Sequence, residues 1–339
     1  MTTFLSSQEV DSLFSMKDYI ETIEDAYQRM GQGEATMLPR INVDSSEVQG
    51  FLKILPASFS KWGVAGVHIY SVGENGTFQK IILLFDINSG DLQAIIEADR
   101  IGWMIPGAVS AVATRYLSKE EAKIMGIFGS GRQAKSQLFA ISFVRNLELV
   151  KVYSPQKNHR EKYCEEMRKL HGLNVIPVDS PNEAIRGSDI ISTTTNSITP
   201  IFNGNLIEIG THINAIGAHY PDRREIDSVC VWRSKVIVDS RDRALKEEGE
   251  LLIPIREGVI RPAHIYAELG EIIAGIKRGR LDEKEITLFL SGAIGIEYVS
   301  VAKSIYQKAQ EKGIGQELWV GGDPKVPRSL YSKRGKFIH

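Results

Sequence analysis

Residues 124–138 read IMGIFGSGRQAKSQL, and this segment constrains the fold more than any other part of the chain. An apolar run that predicts a strand is followed by Gly129, Gly131 and Ala134, at the spacing G-x-G-x-x-A, and then by a helix-forming segment. Gly129 allows the tight turn, Gly131 lets the backbone approach a pyrophosphate, and Ala134 keeps the helix close to the strand. The free N–H groups at the helix start bind the anion. The pattern predicts a dinucleotide site; the alternative is an ordinary glycine turn between two core elements.

The chain has 339 residues and a formal net charge of −1, with acidic and basic residues interspersed. This length predicts two domains, and this charge argues against a nucleic-acid partner. Cys164 and Cys230 lie outside any metal-ligand spacing, so we expect reduced thiols and no metal site. No segment is apolar over the ~18 residues that a membrane span needs, and the N-terminus has no signal-peptide pattern. We therefore expect a cytoplasmic globular protein that does not bind membranes.

The order of the predicted elements divides the chain into two regions with different patterns of secondary structure. Residues 1–32 have helical segments, and residues 37–97 carry short β-branched runs separated by turns, which predict a mostly antiparallel sheet. A helix is expected over 107–117. From residue 124 strands and helices alternate, which is typical of a parallel, doubly wound sheet. A final helix over 293–312 is expected to return the chain to the first domain.

The predicted fold class is α/β, with a Rossmann-type, doubly wound parallel sheet inserted into an α+β domain. The boundaries drawn from the sequence are 1–117 plus 313–339 for the α+β domain and 118–312 for the dinucleotide-binding domain. The ligand crevice of such a sheet lies at the carboxyl ends of its strands.

The type of residue about 20 positions after the glycines indicates whether such a site prefers NAD or NADP. Counting on from Gly131 gives Ser154 instead of the acid that binds the 2′-hydroxyl of NAD, and Lys157, His159 and Arg160 follow. A carboxylate would repel a 2′-phosphate, whereas a serine with neighbouring cations would accept it. The pattern favours NADP(H), with NAD(H) kept as the alternative. Lys157 and Arg160 could instead form a solvated helix face.

A second polar segment, STTTNS at 192–197, ends another predicted strand. Because the carboxyl ends of parallel strands form the ligand crevice, we expect Thr194, Thr195 and Asn196 on the nicotinamide side. The alternative is plain termination of the strand by β-branched and polar residues. The full set of expected cofactor-binding residues is Gly129, Ser130, Gly131, Arg132, Gln133, Ala134, Ser154, Lys157, Arg160, Thr194, Thr195, Asn196, Gly217 and Ser291.

A charged run at 222–225 follows one of the predicted strands. Interspersed acidic and basic residues are typical of an exposed ion-pair cluster, and we expect these side chains on the surface.

Four separated segments together characterise the chain: GAVSAVATRYL at 107–117, FGSGRQA at 128–134, HINAIGAHYPDRREID at 212–227 and ELGEIIAGIKRGR at 268–280. In content and order they resemble the ornithine cyclodeaminase/μ-crystallin family, over about residues 4–320. The resemblance implies a discontinuous two-domain fold, a nicotinamide cofactor and a homodimer formed through the N-terminal sheet domains. Functions in that family include ornithine cyclisation, ketimine reduction, alanine or opine-like amino-acid dehydrogenation and thyroid-hormone binding.

The family's usual active site holds a substrate carboxylate with two arginines and a lysine, and a carboxylate moves protons. The segment MLPRI keeps the first arginine as Arg40. The lysine position holds His68, the second arginine position holds Ile105, and the aspartate position holds His219. The chain therefore departs from the family pattern where substrate is bound.

Ile105 predicts an apolar wall in the substrate pocket. Arginine pairs two-pronged with a carboxylate, whereas a carboxylate buried against isoleucine has no partner and is costly. Trp103 adds apolar bulk nearby. We therefore expect the substrate to be held differently from the family pattern. The expected pocket residues are Arg40, Lys53, His68, Trp103 and Ile105.

His68 and His219 stand at the family's proton-active positions, and imidazole titrates near neutrality. With Arg40 they form the expected catalytic set; the alternative is that both histidines only pack or hydrogen-bond. These residues favour an NAD(P)H-dependent oxidoreductase that reduces a C=N group, or a C=O group, of a small substrate. Two alternatives are kept: a redox-neutral amino-acid cyclodeaminase, and a non-catalytic protein that binds NADP(H) or a small ligand.

Overall fold

The computed structural model describes residues 1–44, 50–218 and 220–320, which form two units, each built on an eight-stranded sheet. The strands of the first unit are β1 (Thr2–Leu5), β2 (Ala35–Met37), β3 (Ile41–Asp44), β4 (Phe51–Phe59), β5 (Val64–Val72), β6 (Phe78–Asp86), β7 (Leu92–Glu97) and β16 (Gln316–Leu318). The strands of the second unit are β8 (Ile124–Phe128), β9 (Leu149–Tyr153), β10 (Val175–Pro177), β11 (Ile190–Thr193), β12 (His212–Ala215), β13 (Lys235–Val238), β14 (Ile265–Glu268) and β15 (Thr287–Leu290).

The sheet of the first unit has the order β16-β1-β7-β6-β5-β4-β2, and β3 also pairs with β4. Its pairs are antiparallel except for β1 and β7. Helices cover one face: α1 (Ser7–Leu13), α2 (Met16–Gly31), α3 (Asp99–Leu117) and α11 (Gly295–Lys312). Buried and partly exposed residues therefore alternate along β4, β5 and β6, with the period of two that a sheet covered on one side requires.

The sheet of the second unit has the order β10-β9-β8-β11-β12-β15-β13-β14, and every pair in it is parallel. Strands β11, β12 and β15 are buried at every position, which is typical of a sheet with helices on both faces. The helices of this unit are α4 (Arg132–Ile141), α5 (Lys157–His171), α6 (Pro181–Ile185), α7 (Ser228–Arg233), α8 (Arg241–Glu247), α9 (Gly249–Arg256) and α10 (Leu269–Ile273).

The structure corrects two boundaries that the sequence analysis draws. Helix α11 packs against α2, β4 and β5, with Val299 beside Gly66, so residues 295–312 belong to the first unit and not to the dinucleotide-binding domain. Its apolar side is the cover that this sheet needs. Helix α3 begins at Asp99, eight residues before the predicted start, and continues through Pro106. We therefore use "first unit" for residues 1–117 and 295–320, and "second unit" for residues 118–294.

Within the described residues, no helix has both the length and the hydropathy needed to cross a bilayer. Cys164 and Cys230 are both buried and carry free thiols.

Candidate active site between the two sheets

The turn between β8 and α4 has the geometry that the glycine motif predicts. Gly129 has a φ of +108°, and a Cβ there would lie 2.7 Å from the hydroxyl oxygen of Thr194. Gly131 is the N-cap of α4, and among the described residues no side chain caps the helix and no atom beyond the adjoining chain lies within 4 Å of a Cβ built at Gly131. The first N–H groups of α4 therefore face open space, which fits a pyrophosphate.

A cleft of about 560 Å³ extends from this turn along the carboxyl ends of β8, β9 and β11. The volume is within the range of small-molecule sites. The hydroxyl of Ser130 donates to that of Ser154 at 3.2 Å across it. The expected cofactor residues that line the cleft are Gly129, Ser130, Gly131, Ser154, Thr194, Thr195 and Asn196.

The first residues of α4 contribute mainly backbone to this site. The side chain of Arg132 is exposed and lies 3.7 Å from the carboxylate of Asp99, so it is not directed to the cleft. Ala134 is fully buried, as its expected packing role requires. The side-chain oxygen of Gln133 is buried without a hydrogen-bond partner among the described residues.

Arg160 is buried and held by contacts within the protein, so it does not form the solvated helix face that is the alternative for it. Its buried guanidinium donates to the backbone oxygen of Ser154 at 2.9 Å and to the carboxylate of Asp179. Lys157 is exposed, with the carboxylate of Glu161 3.8 Å away, so it matches the solvated-face alternative. The side chain of Arg160 turns inward and braces the end of β9, and its expected role in cofactor binding stays a prediction.

A buried carboxylate joins the ends of β11 and β12. Glu225 accepts hydrogen bonds from the Thr193 hydroxyl at 2.7 Å, the Thr195 N–H at 2.5 Å and the Gly217 N–H at 2.8 Å. Burial raises the pKa of Glu225, and these hydrogen bonds lower it. The expectation of a surface cluster over 222–225 is therefore wrong at its last residue. Gly217 has no room for a Cβ, which would lie 2.4 Å from this carboxylate.

The turn after β15 is held from both units. Ser291 is buried there, and the N–H of Gly292 donates to the carboxylate of Asp239 at 2.8 Å. From the first unit, Arg40 donates to the backbone oxygens of Gly292 and, at 3.4 Å, Ala293. Ala293 has a φ of +70°, a conformation that costs about 1–2 kcal/mol for a residue with a Cβ. The surrounding contacts therefore hold this turn in place.

The inner face of the first sheet carries His68, which is fully buried on β5. Its ring stacks on that of Tyr298 from α11, with centroids 3.8 Å apart, and lies 5.3 Å from the ring of Tyr70. Neither ring nitrogen has a hydrogen-bond partner among the described residues. Burial, followed by the charges of Lys80 and Arg40, lowers the pKa of His68 to about 3. His68 is therefore neutral at neutral pH.

Arg40 and Lys53 connect this inner face to the edge of the parallel sheet. The guanidinium of Arg40 lies 3.5 Å from the carboxylate of Glu247, and the ammonium of Lys53 lies 5.6 Å from the ring centroid of Tyr220. Burial and then Arg40 lower the pKa of Lys53, while Glu247 raises it. The structure thus brings Arg40, Lys53 and His68 into one neighbourhood, and we use the word crevice for the region bounded by them, Tyr220 and Gly292.

Three expected site residues are not in this group. Ile105 is fully buried in the core, so it forms no wall of an open pocket. The indole N–H of Trp103 donates to the backbone oxygen of Arg132 at 2.7 Å, and Trp103 lines a separate groove of about 640 Å³ against α4 and α5. The side chains of Ile105 and Trp103 are not at the crevice. The sequence shows that both residues lie on a helix but does not show to which side each side chain is directed. His219 lies outside the described residues, and its role remains a prediction.

Sequence reasoning missed Tyr70, Lys80 and Tyr298. The period of two along β5 and β6 was a usable signal, because it puts Tyr70 and Lys80 on the face that carries His68. No local signal points to Tyr298, whose contact with His68 depends on how α11 packs on the sheet.

We predict that Gly131→Ala separates folding from nucleotide binding. The new methyl group clashes with none of the residues that the structure describes, so the free energy of unfolding should fall by about 1 kcal/mol or less. The same methyl group occupies the space proposed for the pyrophosphate, and the Kd for NAD(P)H should rise about 10-fold or more. Calorimetric titration and thermal melts without nucleotide measure the two effects.

Gly129→Ala is the matched control, because its φ of +108° and its contact with Thr194 strain the fold itself. It should lower the unfolding temperature clearly. Unchanged nucleotide affinity in Gly131→Ala would contradict the placement of the pyrophosphate.

We predict that His68 makes the fold sensitive to acid. Its pKa is about 3 in the fold against an ordinary 6.5, so the unfolded chain takes up a proton at pH 5 that the folded chain does not. Stability therefore falls as the pH is lowered from 6.5 towards 3. Between pH 7 and pH 5, His68→Phe should lose about 2 kcal/mol less unfolding free energy than the unmodified chain. Urea unfolding at the two pH values measures this, and an equal loss would refute it.

Comparison with known proteins agrees with this geometry. The chain is 34% identical over 322 residues to Δ1-pyrroline-2-carboxylate reductase from Bacillus cereus, which covers 93% of this chain and 98% of that protein. The structure of Thermococcus litoralis Δ1-pyrroline-2-carboxylate reductase in complex with NADH and L-proline matches with a TM-score of 0.89 and 38% identity, over 94% of this chain and 100% of that one. An archaeal alanine dehydrogenase dimer with bound NAD matches with a TM-score of 0.88 and 30% identity, over 94% and 99%.

The family model agrees with these individual matches and with the motifs quoted above. It describes the ornithine cyclodeaminase/mu-crystallin family and matches residues 1–313. The resemblance drawn from the sequence and the predicted fold class are both confirmed. The chain belongs to the ornithine cyclodeaminase/mu-crystallin family.

Proposed function

We propose that this protein is an oxidoreductase that reduces the C=N bond of a small molecule with NAD(P)H. The observation that carries the proposal is the set of unpaired polar groups at the crevice. The Nε of Arg40 and both ring nitrogens of His68 are buried without hydrogen-bond partners among the described residues. Buried polar groups in folded proteins usually have hydrogen-bond partners, so unpaired groups at a candidate site favour a polar ligand or ordered water there. The names of the two pyrroline-carboxylate reductases support C=N over C=O as the bond reduced.

The chemistry divides between the two sides of the crevice. A bound reduced nicotinamide supplies a hydride to the imine carbon, and the imine nitrogen takes up a proton to become an amine. The N–H groups at the start of α4 hold the pyrophosphate. Because the pKa of His68 is lowered to about 3, its ring is the neutral imidazole at neutral pH, which can donate an N–H hydrogen bond to the substrate but is too weak an acid to protonate it. We assign the proton to His219, which stands in the sequence at the position where the family places its proton-active aspartate.

NADPH oxidation at 340 nm with Δ1-piperideine-2-carboxylate or a methylimine of a 2-oxo acid tests the function. We expect turnover by the unmodified chain. His219→Ala should lower kcat by about 10²–10⁴-fold, because it removes the proton donor. The control is His171→Ala, whose side chain stacks on Phe139 in the separate groove. No turnover of any imine would refute the function, and full turnover by His219→Ala would refute the role of His219.

We infer that the adenosine end of the cleft accepts the 2′-phosphate of NADP(H). Helix α5 begins beside Ser154 with no side-chain cap and no acid in its first turn, so its N-terminal dipole favours an anion. His159 lines the same cleft. Arg160 gives no support, because it is bound to Asp179. NADH and NAD in the two similar structures belong to those proteins.

Ser154→Asp tests this cofactor preference. A carboxylate at this position repels a 2′-phosphate and accepts from a 2′-hydroxyl, so kcat/KM should fall about 10-fold or more for NADPH and little for NADH. The unmodified chain should use NADPH at least as well as NADH. A clear preference of the unmodified chain for NADH would contradict the inference.

We propose a homodimer formed through the outer face of the first sheet. The outward positions of the central strands are apolar and pair across the sheet: Ile54 with Ile69, Ile69 with Ile81, and Leu83 with Val67 and Ile95. An uncovered apolar face of this kind marks an interaction surface. The described alanine dehydrogenase is a dimer. Light scattering that gives the mass of one chain would contradict the proposal.

We also propose a cytoplasmic location, since buried free thiols are typical of a reducing compartment. Recovery of the protein in a secreted fraction would contradict it.

A further inference from the structure

Glu225 holds two segments at the carboxyl edge of the parallel sheet. Its carboxylate accepts hydrogen bonds from two residues at the end of β11 and from the N–H of Gly217 after β12. Its backbone oxygen accepts from the N–H of Ile201 at 2.8 Å. Ile201 and residues 194–197 line the cofactor cleft. The Glu225 carboxylate therefore lies directly behind the wall of the cleft that we expect on the nicotinamide side.

Among the described residues, no cation forms an ion pair with this fully buried carboxylate. Its three hydrogen bonds come from two N–H groups and one hydroxyl, which are neutral donors. The adjacent arginines are directed elsewhere. The guanidinium of Arg223 lies 4.8 Å from the ring centroid of Tyr220, and that of Arg224 lies 3.0 Å from the carboxylate of Glu257. A buried carboxylate without a cationic partner is costly, so this position favours a positively charged ligand.

The hydrogen bonds indicate that Glu225 carries the negative charge here. Each carboxylate oxygen accepts from a backbone N–H, a group that can only donate. Burial raises the pKa of Glu225, and these hydrogen bonds lower it. The carboxyl of Glu250 accepts from the Glu225 N–H at 2.9 Å. Burial, followed by the charge of Glu248, raises the pKa of Glu250 well above its ordinary value, which favours the neutral form of that carboxyl.

The nicotinamide ring is the part of the cofactor that can compensate this charge. The ring is neutral in NADPH and carries one positive charge in NADP+, whereas the phosphates are negative. Hydride takes two electrons to the imine carbon, so positive charge develops on the ring in the transition state. A fixed carboxylate close to that position stabilises the developing charge and needs no reorganisation during the reaction.

We propose that Glu225 is a positioning residue whose carboxylate acts on the nicotinamide through the wall of the cleft and favours its positively charged, oxidised form. It does so while it holds residues 194–197 and Gly217 in place. This inference rests on the proposed function, because it assigns the nicotinamide to this part of the cleft. Glu225 does not touch the substrate and transfers no proton.

Binding of the two redox forms of the cofactor tests the proposal without turnover. Glu225→Gln removes the charge and keeps the size of the side chain. Calorimetric titration of this variant should give a ratio of the Kd for NADP+ to the Kd for NADPH about 10-fold higher than in the unmodified chain. The Kd for 2′,5′-ADP, which lacks the nicotinamide, should change less than about 2-fold. Equal weakening of NADP+ and NADPH would show mechanical support of the cleft alone and overturn the proposal.

Glu225→Asp keeps the charge and shortens the side chain. Its ratio of the two Kd values should stay close to that of the unmodified chain, even where both affinities fall. A ratio as high as that of Glu225→Gln would contradict the electrostatic role.

Glu250→Gln is the matched control, because it replaces a neighbouring buried carboxyl whose neutral form is favoured. Its amide oxygen can still accept from the Glu225 N–H, and the ratio should stay unchanged. A ratio raised as much as in Glu225→Gln would contradict the assignment of the charge to Glu225. Failure of the proposed function appears separately, as absence of imine turnover by the unmodified chain while Glu225→Gln still changes the ratio.

Discussion

The arrangement of the two units depends on the hydrogen bonds that hold the turn at residues 291–294. The N–H of Gly292 donates to Asp239 in the second unit, and the backbone oxygens of Gly292 and Ala293 accept from Arg40 in the first. Here the chain leaves the carboxyl edge of the parallel sheet and enters α11, which covers the other sheet. Because both units form hydrogen bonds to this turn, it holds the carboxyl edge of the parallel sheet against the inner face of the first sheet, which carries His68.

A buried ionic cluster of Arg243, Asp239 and Glu248 lies beside that turn. The guanidinium of Arg243 is fully buried and donates to Asp239 and Glu248, at 2.8 Å each, and a Cβ at Gly292 would lie 2.2 Å from it. Burial, then the charge of Asp239, raises the pKa of Glu297 to about 8, so this neighbouring carboxyl is protonated at neutral pH. Buried charges cost free energy when they leave water, and close pairing offsets part of that cost. Asp239 also accepts from the N–H of Gly292, which connects this cluster to the turn.

Local features of the fold and of the nucleotide site could be predicted from the sequence. The glycine spacing, the run into α4 and the short β-branched runs of β4 to β7 depend on residues that are close in the sequence, and all of them appear in the structure. Features set by distant contacts could not be predicted. Arg160 turns to Asp179, Glu225 turns inward to β11 and β12, and Ile105 faces the core. In each case the sequence shows the residue type but not the direction in which the fold turns the side chain.

Direct transfer of hydride requires that a nicotinamide and an imine carbon meet in the crevice. The most direct test is turnover of the imine with NADPH that carries deuterium at both C4 positions, followed by mass spectrometry and NMR of the amine product. The account predicts one deuterium, bonded to the carbon that was doubly bonded to nitrogen. Amine product without deuterium at that carbon would contradict it.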